Sequence, residues 1–201
     1  MFGDPVTNPK GWETKKLSEI ASTRLGKMLD AKKQTGTCRF PYLANFNVQW
    51  FRFELNSLNE MDFNENDREE FNLIKGDLLV CEGGDVGRCA IWENEIPNCY
   101  FQKALHRVRC NINFVRPEYL ARTFYNHSKL NGFRDVISGE STIAHLPGER
   151  LKKLEILLPP LSLQEEFARF VEAVDKSKFA VRQSLEKLKI CYKSLMQEYF
   201  G

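Results

Sequence analysis

Amide and basic side chains set among aromatic, strand-like residues are the part of this sequence best suited to chemistry. Asn45, Asn47, Gln49, Gln102, Lys103 and His106 lie in or beside such segments, and Arg39 and Arg88 lie near turns. Amide side chains pair bidentately with adenine in the DNA major groove, and guanidinium groups pair with guanine. Lys27, Lys32 and Lys33 fall in a polar stretch from Gly26 to Gly36 that reads as an exposed loop, a form suited to phosphate contacts. Taken singly, each of these residues could equally form a turn or satisfy a core polar group.

Catalytic sets are harder to assemble. Gly83-Gly84-Asp85-Val86-Gly87 lacks the Lys-Ser/Thr of a phosphate loop and the helix that a dinucleotide-binding turn opens. A strand follows it, so a hairpin turn needing positive φ explains the glycines. His106, His127 and His145 are scattered, and no Gly-x-Ser-x-Gly elbow is present. The Asn/Asp-Pro-Pro-aromatic motif of an amino-methyltransferase is also missing. Glu13-Thr14-Lys15 and Asp30-Ala31-Lys32 each match the acidic-x-Lys part of a nuclease metal site. The six cysteines form no Cys-x-x-Cys pair and no zinc spacing with histidine, which reads as reduced thiols packed as small hydrophobes. The expectation is a binding protein with no catalytic residues, no metal and no cofactor. A small metal-dependent nuclease is the competing class, and a coiled-coil assembly protein without a DNA role is a third.

Charge is distributed unevenly along the 201 residues, although the net charge is only +2. Residues 1–53 carry nine Lys/Arg against four Asp/Glu, while residues 54–70 carry one Arg against seven acids. A basic stretch of this kind can track phosphates. No apolar run approaches the roughly 20 residues that span a bilayer, and no secretion signal opens the chain, so a cytoplasmic protein without membrane contact is expected.

The elements that would position these residues are mostly strands. Leu78 to Cys81, Cys89 to Trp92, Leu105 to Cys110 and Leu154 to Leu158 are apolar strand segments, the first two forming a hairpin. Trp12 to Ile20 reads as a short strand, a turn and a helical turn. Phe40 to Trp50 is strand-like, and residues 59–70 read as a loop or short helix. Pro117 suits the first turn of a helix reaching Leu130, and Gly139 to Leu146 is a loop. The fold class is α+β, with a mostly β domain over residues 1–160 and one long helix over residues 161–201.

That helix is well marked. Pro159 and Pro160 end the preceding strand, Ser162 is placed to cap the first turn, and Glu165 is placed to complete a capping box. No Gly or Pro interrupts the chain from there to Phe200. Val174, Val181, Leu185, Leu188, Tyr192, Leu195 and Tyr199 form a stripe, and from Val181 the steps alternate four and three, the seam of a coiled coil. Leu163 to Tyr199 would span roughly 55 Å. A helix folded back on its own domain is the simpler alternative, but this length outreaches the domain. Ser177 and Lys178 interrupt the seam, so a weak point is expected there.

Several segments resemble, in order, the specificity subunit of type I restriction-modification systems. They are Gly11-Trp12-Glu13 to Leu17 and Ile20, then Pro41-Tyr42-Leu43 through Asn45, Asn47 and Trp50, and, most specific, Lys75-Gly76-Asp77 to Trp92. Gly139, Ser141-Thr142-Ile143 and Leu146 follow, then Leu157-Leu158-Pro159-Pro160-Leu161 with Gln164. Leu163 stands where that last motif usually has an acidic residue. The resemblance covers essentially the whole chain. It implies a non-catalytic target recognition domain that binds double-stranded DNA and reads half of a split site. It also implies a helix that docks methyltransferase subunits and, through them, the restriction subunit. Such proteins usually hold two domains and two helices, so this chain is expected to pair with a second copy or with a second recognition half.

Overall fold

The structure is a computed structural model, and it describes residues 1–4, 7–30, 34–130, 133 and 145–200. Its main sheet has four strands in the order β2 (Ala21–Leu25), β10 (Leu105–Cys110), β7 (Leu78–Cys81), β8 (Cys89–Ile91), all antiparallel. All four β7 residues are buried, which is why that segment is uninterruptedly apolar. The β7–β8 turn places Gly84 and Gly87 at φ 72° and 79°. A Cβ on Gly87 would stand 2.1 Å from the Phe133 ring, so no other residue fits there.

A second sheet has the order β6 (Asn59–Asp62), β3 (Arg39–Leu43), β9 (Tyr100–Phe101), with β3 and β9 parallel. The strand β6 corrects the expectation of a loop or helix over all of 59–70. Its acidic sequence has little strand propensity of its own, and pairing with β3 supplies what propensity does not. The helix α2 (Glu65–Glu70) then starts at the Asn64 cap, whose Oδ1 accepts from the Asp67 amide. Two hydrophobic clusters fill the body. One centres on Leu17, Ile20, Val108, Leu120 and Phe124, the other on Leu43, Phe63, Trp92 and Phe101, and β7 feeds both.

Short elements join the two ends of the body. The strand β1 (Glu13–Lys16) pairs antiparallel with β11 (Glu155–Leu158), the last strand before the long helix. Two helices, α1 (Leu17–Ile20) and α3 (Pro117–Leu130), pack on the first cluster. A further short helix, α4 (Gly148–Lys152), precedes β11.

The last helix, α5, runs without a break from Leu161 to Phe200. It starts one residue before Ser162, with the Pro160 carbonyl accepting from the Leu163 and Gln164 amides. The expected capping box is therefore absent. Glu165 instead pairs with Arg116 of the body, which holds its carboxyl below the usual carboxylate range. The helix continues through Ser177, whose hydroxyl donates to the Ala173 carbonyl at 3.0 Å. From Asp175 onward every described position is exposed, about 39 Å of free helix. Among the described residues, no helix is long and apolar enough to cross a membrane.

Candidate nucleic-acid interface

Four connections meet at one end of the two sheets. Gly26 and Lys27 follow β2, a 3₁₀ turn over Asn45–Asn47 follows β3, residues 82–88 follow β7, and Gln102–Ala104 precedes β10. Main-chain bonds tie them together. The Lys103 amide donates to Lys27 O at 2.7 Å, Gln102 to Leu43 O at 3.0 Å, and Glu82 to Ala104 O at 2.9 Å. A Cβ on Gly26 would sit 2.3 Å from Gln102 O, so glycine is required where these backbones cross.

Asn45 and Arg88 join two of the turns. Asn45 Nδ2 donates to Gly83 O at 3.1 Å, and an Arg88 terminal nitrogen donates to Asn45 O at 3.1 Å. Asn45 Oδ1 and Arg88 Nε are buried without a hydrogen-bond partner. A two-residue hairpin stands beside them, β4 (Val48–Gln49) against β5 (Arg52–Phe53). Trp50 Nε1 fastens it to the β7–β8 turn by donating to Asp85 Oδ2 at 3.1 Å. Phe51, at its tip, has φ 63°, is exposed, and carries the Arg122 guanidinium 4.5 Å from its ring centre. Phe46 on the 3₁₀ turn is also exposed, at 52%.

The structure thus brings Lys27, Asn45, Gln49, Arg88, Gln102 and Lys103 to one region, but it employs them differently. Lys103 is exposed, and Gln49 and Gln102 are half-buried. Lys27 is spent inside the fold, with Nζ 2.6 Å from Asp67 Oδ2, donating to Asp62 O, and 5.0 Å from the Phe63 ring centre. Asn47 is only 1% exposed, accepts from the Ala44 amide, and donates to Glu54 O and Ser57 O. Both Nδ2 hydrogens of that side chain are committed to main-chain oxygens. His106 is 1% exposed, shares a hydrogen bond with Leu146 O at 3.0 Å, and has its pKa lowered by burial. These three side chains are engaged within the fold, and Asn47 and His106 are buried among the loops they join. Arg39 opens β3 at the end away from Asn45 and faces Glu60 at 3.5 Å. Lys32, Lys33 and the Gly139, Ser141-Thr142-Ile143 segment lie outside the described residues.

Charge segregation along the chain cancels in space. Lys27 pairs with Asp67, Arg24 with Glu70, Arg39 with Glu60 and Arg52 with Glu54, so the acidic segment neutralises cations of the basic third. Asp62 holds the neighbouring loop as well. Burial acts to raise its pKa, but hydrogen bonds from Gly36, Thr35 and Cys38 outweigh that and hold it below the ordinary value. The acidic-x-Lys triplet on β1 closes on itself, with Lys15 Nζ 3.0 Å from Glu13 Oε1. All six cysteines are free, and burial pushes the Cys81 thiol to about 11 and Cys99 and Cys110 to about 12, which makes those three inert.

Sequence reasoning missed two groups. Arg122 and Phe51 meet only through the packing of α3 on the hairpin, and no local pattern announces that. Gln164 sits in the proline motif yet reads as an ordinary helix residue. It is the buried residue of α5, and it joins the helix to the body.

A family model described as the type I restriction modification DNA specificity domain matches residues 9–189. A Methanocaldococcus jannaschii protein provisionally named the type I restriction enzyme MjaX specificity subunit is 24% identical over 196 residues, covering 96% of this chain and 46% of that protein. The EcoKI specificity subunit of Escherichia coli is 26% identical over 179 residues, covering 86% of this chain and 38% of that one. A solved structure of a type I R-M system shares the fold, with TM-score 0.67, 16% identity, and coverage of 98% of this chain and 47% of that one. The chain therefore spans less than half the length of these relatives. With the family model matched over most of its length, this chain belongs to the type I restriction modification DNA specificity family.

Proposed function

We propose that this chain is a non-catalytic DNA-recognition subunit of a type I restriction-modification system. Residues 1–160 read one half of a split site, and residues 161–201 pair with a second helix and dock methyltransferase subunits. The observation that carries the reading is the gathering of Asn45, Gln49, Arg88, Gln102 and Lys103 at one end of the sheets in a chain of this family. Gln49 and Arg88 would meet base edges, and Lys103, with Lys32 and Lys33, would meet phosphates. The bonds by which Asn45 and Arg88 tie two of these turns together support this, because they hold the turns in one surface.

The free helix supports the pairing half of the proposal. Val181, Leu185, Leu188, Tyr192, Leu195 and Tyr199 are all exposed, and Val174 lies half-buried where the helix leaves the body. A seam this apolar is stabilised by a matching helix, from a second copy or from a second recognition half. Fluorescence anisotropy of the pure chain on duplex DNA across a salt series tests the reading. Binding that weakens linearly with log salt is expected. Absence of binding at low salt, or cleavage of the duplex with magnesium alone, would reject it.

A further inference from the structure

We propose that Gln164 is a positioning residue that fixes the direction in which α5 leaves the body. Its side chain is 0% exposed, both Nε2 hydrogens are donated and Oε1 accepts one bond. Oε1 accepts from the Arg116 amide at 2.9 Å, and Nε2 donates to Phe114 O at 3.1 Å and Pro159 O at 2.9 Å. Those partners come from separate places: the loop that leads into α3 and the proline linker that leads into α5. One amide thus ties linker, loop and helix into a single joint, one turn from the helix start.

The other contacts at the helix base are of a softer kind. Glu165 pairs with Arg116 at a half-exposed site, and Phe167 meets Phe2 edge-to-face at 5.3 Å. Both tolerate sliding, since side-chain ends adjust more cheaply than main-chain groups. The three partners of Gln164 are main-chain atoms and cannot swing aside.

Leverage makes the joint matter. From Gln164 to Phe200 the helix runs about 54 Å, so a tilt of about 10° at its base displaces the tip by roughly 9 Å. Successive base pairs stand about 3.4 Å apart along DNA. Such a tilt would therefore shift the distance between two paired recognition domains by two or three base pairs. That last consequence rests on the proposed function, whereas the helix direction itself does not.

The test is a distance distribution by pulsed electron paramagnetic resonance. One spin label goes on native Cys191, exposed on α5, and one on Asn66→Cys, exposed on α2, in a Cys38→Ser background diluted with unlabelled protein. The unmodified joint is expected to give one narrow distance. Gln164→Leu should shift or broaden it by about 5–10 Å, while Leu79→Val, a substitution in the other hydrophobic cluster, should leave it narrow. Glu165→Gln, a conservative surface change that keeps the fold, should also leave it narrow. A Gln164→Leu distribution equal to the unmodified one overturns the proposal. So does broadening in Glu165→Gln, which would assign the joint to the ion pair even if Gln164→Leu failed to fold. Duplexes carrying two half-sites at varied spacing add a second arm, in which Gln164→Leu should flatten the spacing preference. If the unmodified chain binds no such duplex, the DNA reading fails and the distance result still decides the role of Gln164.

Discussion

Lys27 and Asp67 form an ion pair at 2.6 Å with both side chains mostly buried, and they link the basic third of the chain to its acidic segment. The lysine that the sequence offers to phosphate is thereby committed to the fold. Replacing Lys27 with Ala should destabilise the protein by about 1–3 kcal/mol in urea unfolding, the cost of removing a charged hydrogen bond and leaving Asp67 unpaired. DNA affinity measured on the folded fraction should stay within about twofold. A large uniform loss of affinity without loss of stability would place Lys27 at the backbone after all.

Lys103 is the converse case, exposed on the turn before β10. Lys103→Ala should weaken binding to every duplex alike and shallow the slope of log affinity against log salt by about one ion. Lys32→Ala with Lys33→Ala should act in the same way with about twice the effect. Anisotropy titrations at several salt concentrations read both numbers, and an unchanged slope would remove the loop concerned from the interface.

Leu185 and Leu188 lie one turn apart on the free helix, exposed at 50% and 67%. Burying a leucine is worth about 1.5–3 kcal/mol, so Leu185→Asp with Leu188→Asp should lower the self-association constant by more than about a hundredfold. Sedimentation equilibrium checks this. A chain that is monomeric at tens of micromolar before the change would show that the seam awaits a different helix.

His106 supplies a pH dependence. Leu146 O only accepts hydrogen bonds, so Nε2 carries a proton and donates it to that carbonyl. Burial lowers its folded pKa below the ordinary value of about 6.5. The unfolded chain therefore binds the extra proton first as the pH falls. The contribution of this group is complete above about pH 6.5 and is lost progressively below it, by at most about 1.4 kcal/mol per pH unit. His106→Gln should be less stable at pH 8, and its stability should fall less steeply than that of the unmodified chain between pH 7 and 5. Parallel slopes in urea midpoints would contradict the assignment.

Much of this architecture is legible before folding. Leu78–Cys81, Leu105–Cys110 and Pro117–Leu130 are found at the boundaries that their apolar runs and the helix-opening proline predict. The long helix is legible from its uninterrupted period. Asn59–Asp62 is not, because a polar acidic strand owes its form to β3 and to nothing in its own sequence. The Asn45–Gln49 segment reads as one strand but breaks into a 3₁₀ turn and a hairpin, since Asn47 spends its amide on the surrounding main chain. Site residues were harder still. Asn45 and Asn47 are alike as letters, and only the fold shows that Asn45 spends one bond on the main chain where Asn47 spends three.

Selection from a random duplex library decides whether this chain reads a half-site and pairs through its helix. Pure protein is mixed with the library at about 50–150 mM salt, bound duplexes are recovered, and their sequences are compared. Enrichment of one short motif is expected, in two inverted copies at fixed spacing when the chain pairs with itself. Recovery of duplexes with no motif enriched at any salt concentration would contradict it.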